Sequence, residues 1–142
     1  MAVPIDTTSR MTATDRFSAF APHILGIFRF LAGVMFACHG AQKVLGAFGG
    51  LPPGAGGWMV QVAGPMELGG GIPIAIGLLT RPVAFLCSGL MAVAYWYGHG
   101  LNGFWPKANG GEPAVLYCWI FLYLAVQGPG AWAVDNLIRR RK

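Results

Sequence analysis

The stretch from Ile24 to about Lys43, ILGIFRFLAGVMFACHGAQK, constrains this chain more than any other feature. Twenty helical residues at 1.5 Å each cover about 30 Å, the thickness of the hydrocarbon core of a bilayer. Three more apolar stretches follow, at about 58–79, 83–97 and 113–127. The first outer connection, GAFGGLPPGAGG at residues 46–57, is a Gly/Pro loop that cannot continue a helix. Arg81-Pro82 reads as a tight turn between the second and third stretches, and residues 98–112, GHGLNGFWPKANGGE, as the second outer loop. The expected fold is an all-α membrane protein, a four-transmembrane-helix bundle spanning residues 23–138.

Composition removes the soluble alternative. Only 11% of the 142 residues are charged and 55% are hydrophobic, with a mean hydropathy of +0.55. A soluble domain carries about 25% charged residues, and a water-facing surface is hard to build from so few. The net charge of +5 does not point to nucleic acid, because four of the basic residues, Arg139, Arg140, Arg141 and Lys142, cluster after the last apolar stretch. That is a juxtamembrane segment attracted to anionic headgroups.

Orientation follows from where Lys and Arg fall. Arg10, Arg16, Arg81 and the four C-terminal residues lie on one side, Lys43 and Lys107 on the other. The positive-inside rule places the first group, and therefore both termini, in the cytoplasm. Residues 1–22 read as a cytoplasmic tail without signal-peptide grammar, with Phe17 and Phe20 at the interface and Pro22 just before the first span. Gln127-Gly128-Pro129-Gly130 breaks the last span, and Ala131–Ile138 is expected along the cytoplasmic interface with Trp132 as anchor.

An ionisable residue inside a span costs about 2.5–3.5 kcal/mol at mid-membrane, so each one asks for an explanation. Arg29, Gly33, Phe36, Gly40 and Lys43 recur at helical spacing on one face of the first span. The two glycines admit a neighbouring helix, so this face should point inward. Glu67 starts at a matching depth in the second span, and pairing with Lys43 or His39 is expected. With His99 and Glu112, a polar cluster of His39, Lys43, Glu67, His99 and Glu112 would open outward. The competing reading makes Glu67 and Lys43 a packing ion pair and Glu112 a solvated helix N-terminal residue. Arg29, near the cytoplasmic end, is expected to snorkel.

Other chemistries find little support. Cys38, Cys87 and Cys118 match no zinc spacing and read as small packing residues. His39 and His99 raise the question of a haem with two axial imidazoles, but there is no C-x-x-C-H motif, and haem is not expected. Gly69-Gly70-Gly71 lies mid-span with no Lys-Ser/Thr after it, so it favours close helix packing over phosphate binding. No catalytic triad or metal-ligand cluster stands out.

Over about residues 24–135 the chain resembles the DoxX family of small prokaryotic membrane proteins. The resemblance is carried by Arg29-Phe30-Leu31-Ala32-Gly33 with His39-Gly40 and Lys43, and by Glu67-Leu68-Gly69-Gly70-Gly71. It continues in Gly77-Leu78-Leu79-Thr80-Arg81, Asn102-Gly103, Glu112, and Gly128-Pro129-Gly130 with Asp135. It implies a four-helix bundle in the cytoplasmic (inner) membrane. It also implies association with redox complexes, since relatives include the membrane subunit of a thiosulfate:quinone oxidoreductase. Lys43, Glu67 and Glu112 are the positions it points to.

The leading expectation is a redox-associated subunit that exchanges with the quinone pool or docks an oxidoreductase partner, with Lys43, His39 or Glu67 bonded to a quinone carbonyl. One alternative is a non-catalytic scaffold within a larger membrane assembly. Another is a small-molecule or proton-linked transporter working as a homo-oligomer, with the second-span glycines as contact face.

Overall fold

A computed structural model describes residues 13–51 and 56–140. The expected tail at 1–12 with Arg10, the loop centre at 52–55, and Arg141 and Lys142 lie outside the described residues. Among those described, the secondary structure is entirely helical. A short helix α1 (Ala13–Ser18) leads into α2 (Ala21–Leu45), followed by a 3₁₀ turn at Ala47–Gly49. A π-helical segment, Met59–Ala63, runs directly into α3 (Gly64–Ile76). Then come α4 (Thr80–Gly98), a 3₁₀ turn at Gly100–Asn102, α5 (Pro106–Asn109), α6 (Glu112–Gln127) and α7 (Val134–Arg139).

The boundaries differ from the sequence reading where proline is concerned. Pro22 lies inside the first turn of α2, and Arg81-Pro82 lies inside the first turn of α4 rather than forming a turn. Both positions tolerate proline because the first N–H groups of a helix have no intrahelical partner. The reversal between α3 and α4 is made one step earlier, with Gly77 at φ +72° and Leu79 at φ +48°. Residues 13–22, read as tail, are mostly helical.

Arg16–Leu45 is long and apolar enough to cross a membrane by length and composition, and Glu112–Gln127 is a shorter apolar helix. The outer faces of all four long helices are apolar: Ile24, Phe30, Leu31, Ile72, Phe85, Leu86, Trp119 and Tyr123 are exposed. Such a continuous apolar exterior suits lipid and not water.

The helices pack as two close pairs, α2 with α3 and α4 with α6. The α2–α3 contact is made backbone to backbone. A Cβ on Gly33 would stand 2.4 Å from the Ala75 nitrogen, and one on Gly40 would stand 2.2 Å from the Leu68 nitrogen. Gly71 returns the contact against Ala37. Small residues at these crossings let the helices approach more closely than any side chain would permit. Between the pairs, Phe36, Ile74, Leu90, Tyr117, Phe121 and Leu124 form the core.

At the end of the bundle that carries the α3–α4 turn, side chains close three helix termini across long sequence distances. Arg29 is only 2% exposed and does not snorkel. Its guanidinium donates to the carbonyls of Ile74 (2.7 Å) and Ala75 at the end of α3, and to Pro129 (2.7 Å), Ala131 (3.3 Å) and Trp132 (3.2 Å). A fork of five N–H donors fits a set of carbonyls from the end of α3 and the segment after α6, and that satisfaction keeps the charge inside. Asp135 accepts from the Leu79 and Thr80 N–H groups at 2.7 and 2.9 Å, capping α4. Arg81 donates to the carbonyls of Ala125 (3.1 Å), Val126 and Gln127 (3.3 Å), closing α6.

Candidate functional site

The opposite end of the bundle holds the polar side chains. In α2, Gly40 lies against the backbone of α3, and this contact draws Lys43, one turn later, towards Glu67. The Lys43 ammonium donates to Glu67 Oε1 in a close ion pair. Of the two partners expected for Glu67, the structure selects Lys43. Glu67 is 3% exposed, and its second oxygen, Oε2, is buried with no hydrogen-bond partner. A buried carboxylate oxygen without a donor is costly, and such an exception calls for a functional account.

That oxygen belongs to a residue lining a cavity of about 220 Å³. All four long helices contribute: Phe36, His39 and Lys43 from α2, Glu67 from α3, Met91 and Ala94 from α4, and Ala114 and Tyr117 from α6. His99 lines it from the end of α4, with its Nδ1 3.0 Å from the Asn109 carbonyl oxygen. Leu51 and Trp58 also line it, the latter in edge contact with Tyr97 at 6.4 Å between ring centroids. Of the five residues expected in one outward-opening cluster, His39, Lys43, Glu67 and His99 share this cavity.

Glu112 does not join them. The first residue of α6, it is exposed, lines a space on the outside of the bundle, and lies 3.8 Å from the more exposed Lys107 ammonium. A carboxylate at a helix N-terminus is favoured by the aligned peptide dipoles without any ligand, and that accounts for Glu112 as it stands.

Three features of the site were not expected. The first is the π turn. Gly64 N–H bonds the Met59 carbonyl, five residues back, and Pro65 follows at once. A proline ring clashes with the carbonyl four residues before it, and widening the turn relieves the clash. Met59 and Ala63 of this widened turn line the cavity. The second is Tyr117, buried and in ring contact with Phe36 (5.2 Å) and His39 (5.8 Å). The third is Asn109, whose amide donates to the Gly103 carbonyl (2.6 Å) and to the Tyr95 hydroxyl (3.3 Å). Its side-chain oxygen accepts from Gly111 N–H at 2.8 Å, so one residue organises the loop that positions His99. The pair Pro65 and Asn109-Gly110 carried the local signals for the first and third of these.

Among the described residues, no group of three or more His, Cys, Asp or Glu side chains is placed to hold a metal ion. The cysteines are free thiols, with Cys87 buried against Gly70.

A helical membrane protein whose bundle holds, at one end, a cavity lined by several ionisable side chains is the class these observations define. The chain belongs to the DoxX family, whose family model matches residues 24–100. It is 41% identical over 128 residues to an uncharacterized protein of Haemophilus influenzae, covering 86% of this chain and 96% of that one. It is 29% identical over 126 residues to the inner membrane protein YqjF of Escherichia coli, covering 80% and 90%. An uncharacterized membrane protein of Mycobacterium tuberculosis is 25% identical over 130 residues, with 80% of each chain covered. No solved structure matches. The chain is thus a protein of the prokaryotic inner membrane.

Proposed function

We propose that this chain is a quinone-linked membrane subunit, and that the inner cavity receives the headgroup of a quinol. One observation carries the reading: Glu67 Oε2 is buried and lacks a hydrogen-bond donor. A quinol hydroxyl supplies such a donor. When the ring is oxidised, its carbonyl needs a donor instead, and Lys43 and His39 line the same cavity. At about 220 Å³ the space is smaller than the roughly 300–1,000 Å³ of pockets for drug-sized ligands, a size suited to a single ring. Oxidation of the quinol releases two electrons and two protons. The electrons pass to an oxidoreductase partner, and Glu67 and His39 are placed to take up protons.

The same reading places four transmembrane helices in the bilayer, at α2, the Met59–Ile76 segment, α4 and α6. Both ends of the described chain lie at the end of the bundle that carries Arg16, Arg81, Arg139 and Arg140, and the excess of basic residues assigns that end to the cytoplasm. The cavity then opens on the outer side.

The test is quinol binding and quinone-coupled activity in nanodiscs for Glu67→Gln. The variant keeps the shape of the side chain and loses its charge. Binding should weaken about tenfold, equivalent to about 1.4 kcal/mol, while membrane insertion is unchanged. Unchanged binding and activity would remove Glu67 from the mechanism and favour a non-catalytic scaffold. Proton uptake abolished by the variant, with no quinol bound by the native protein, would favour a transporter.

A further inference from the structure

Three shared residues separate the inner cavity from a space on the lipid side of the bundle. The cavity walls include His39, Pro113 and Tyr117, and the same three residues line this second space, of about 490 Å³, on the outside of the bundle. This second space runs between α2 and α6, along Phe28, Leu31 and Met35 on one side and Leu116 and Ile120 on the other, with Glu112 beside Pro113 as its one acidic lining residue. At Phe28 and Ile120 it meets a third, of about 910 Å³, which continues past Ile24 and Tyr123 to Phe17 and Phe20. The groove is almost wholly apolar. It exists because α2 packs on α3 and α6 packs on α4, leaving α2 and α6 with little contact. From His39 to Ile24 it extends about 22 Å, fifteen residues at 1.5 Å each.

A pocket with ionisable side chains and an unpaired buried oxygen thus shares a wall with a long apolar groove facing lipid. That combination fits a ligand with a small polar head and a long apolar tail. We propose that the ligand is a long-tailed quinol that enters sideways from the bilayer through the α2–α6 seam. Its headgroup reaches Glu67, its prenyl tail lies along Met35, Leu116 and Ile120, and the rings of His39 and Tyr117 form the gate between the two. The proposal rests on the quinol reading given above and adds the route and the tail site. His39 then has a definite place: its ring stands edge-on to Tyr117 at 5.8 Å, on the boundary, exposed to the groove and lining the cavity.

The experiment compares two quinols that share a headgroup, one bearing a single prenyl unit and one bearing nine. Both are titrated into nanodiscs containing the full chain, with affinity expressed as mole fraction of quinol in the disc lipid. The native protein should bind the long-tailed form at least tenfold more tightly. Leu116→Trp and Met35→Trp, outward-facing residues whose enlargement fills the groove, should abolish most of that gain and leave the short-tailed form within twofold. Phe85→Trp, on the lipid face of α4 away from the seam, should change neither. Equal native affinity for the two quinols, or groove variants that retain the long-tail gain, would overturn the tail site while the headgroup reading stands. Failure of the native protein to bind either quinol would defeat the headgroup reading and the tail site together. A phospholipid acyl chain or a second copy of the protein resident in the groove would appear as the first of these outcomes, with no tail-dependent gain.

Discussion

Lys43 and Glu67 meet because Gly40 has no side chain. Gly40 sits one turn before Lys43, and its Cα faces the α3 backbone so closely that a Cβ would stand 2.2 Å from the Leu68 nitrogen and 2.7 Å from the Gly64 oxygen. The ion pair is a consequence of helix separation, and separation is set by glycine.

Gly40→Ala should therefore force α2 and α3 apart. Both atoms it would strike are backbone and cannot rotate away, so a cost at or above the usual 1–3 kcal/mol of overpacking is expected. Gly89 in α4 offers the matching control, since a Cβ there meets nothing within 4 Å. Thermal unfolding in mild detergent should show a clear drop in Tm for Gly40→Ala and none for Gly89→Ala. Equal Tm values for the two would mean that the close crossing is not a determinant of stability.

Removing one member of the ion pair should be worse than removing both. Lys43→Met leaves Glu67 buried with neither oxygen satisfied, and breaking a buried pair in this way costs about 3–5 kcal/mol. Replacing both with apolar residues of similar size, Lys43→Met with Glu67→Leu, should recover most of that loss, because the desolvation cost of the pair goes too. Quinol binding should stay absent in the double variant. Recovery of stability without binding separates the pair's place in packing from its part in ligand recognition; a double variant as unstable as Lys43→Met would contradict this account.

Arg29 should tolerate no substitution by lysine. An ammonium is a compact charge with three donors, and it cannot span carbonyls from both Ile74 and Trp132 as the guanidinium does. In Arg29→Lys, residues 128–133 should lose their anchor. Limited proteolysis of the nanodisc-embedded protein should then cut between Gly128 and Ala133 at least tenfold faster than in the native chain. An unchanged rate would show that the Ala131 N–H bond to the Pro22 carbonyl, at 2.7 Å, suffices to hold the segment.

Asp135→Ala removes both bonds that cap α4 and should cost about 1 kcal/mol, towards 2 because two N–H groups lose their acceptor. Asp135→Asn keeps one acceptor oxygen and should cost about half as much. Hydrogen exchange at Leu79 and Thr80 would report this directly, with faster exchange in Asp135→Ala than in Asp135→Asn.

The helices and the inward face of α2 were legible because they depend on period alone. Arg29, Gly33, Phe36, Gly40 and Lys43 repeat at helical spacing, and all but the partly exposed Lys43 are buried. The pairing of Glu67 was legible to within one choice, because a rise of 1.5 Å per residue fixes depth but not rotation. Rotation decided for Lys43 over His39. The fate of Arg29 was not legible, since its partners are backbone carbonyls, which every residue has and no side-chain pattern announces. The cap on α4 was hidden by distance, Asp135 lying 55 residues beyond Thr80. Glu112 was legible only as two alternatives, because sequence gives its height in the bundle and not its direction; at the start of α6 it is exposed, as the reading of a solvated helix N-terminal residue has it.

The π turn at Met59–Ala63 holds a residue more than the α-helical path requires. Deleting a single residue within this turn would let it close to the α-helical path, leaving Glu67 against Lys43 on one side and Trp58 near its present place on the other. The span can therefore gain or lose one residue at this point without disturbing either the ion pair or the tryptophan that lines the same cavity.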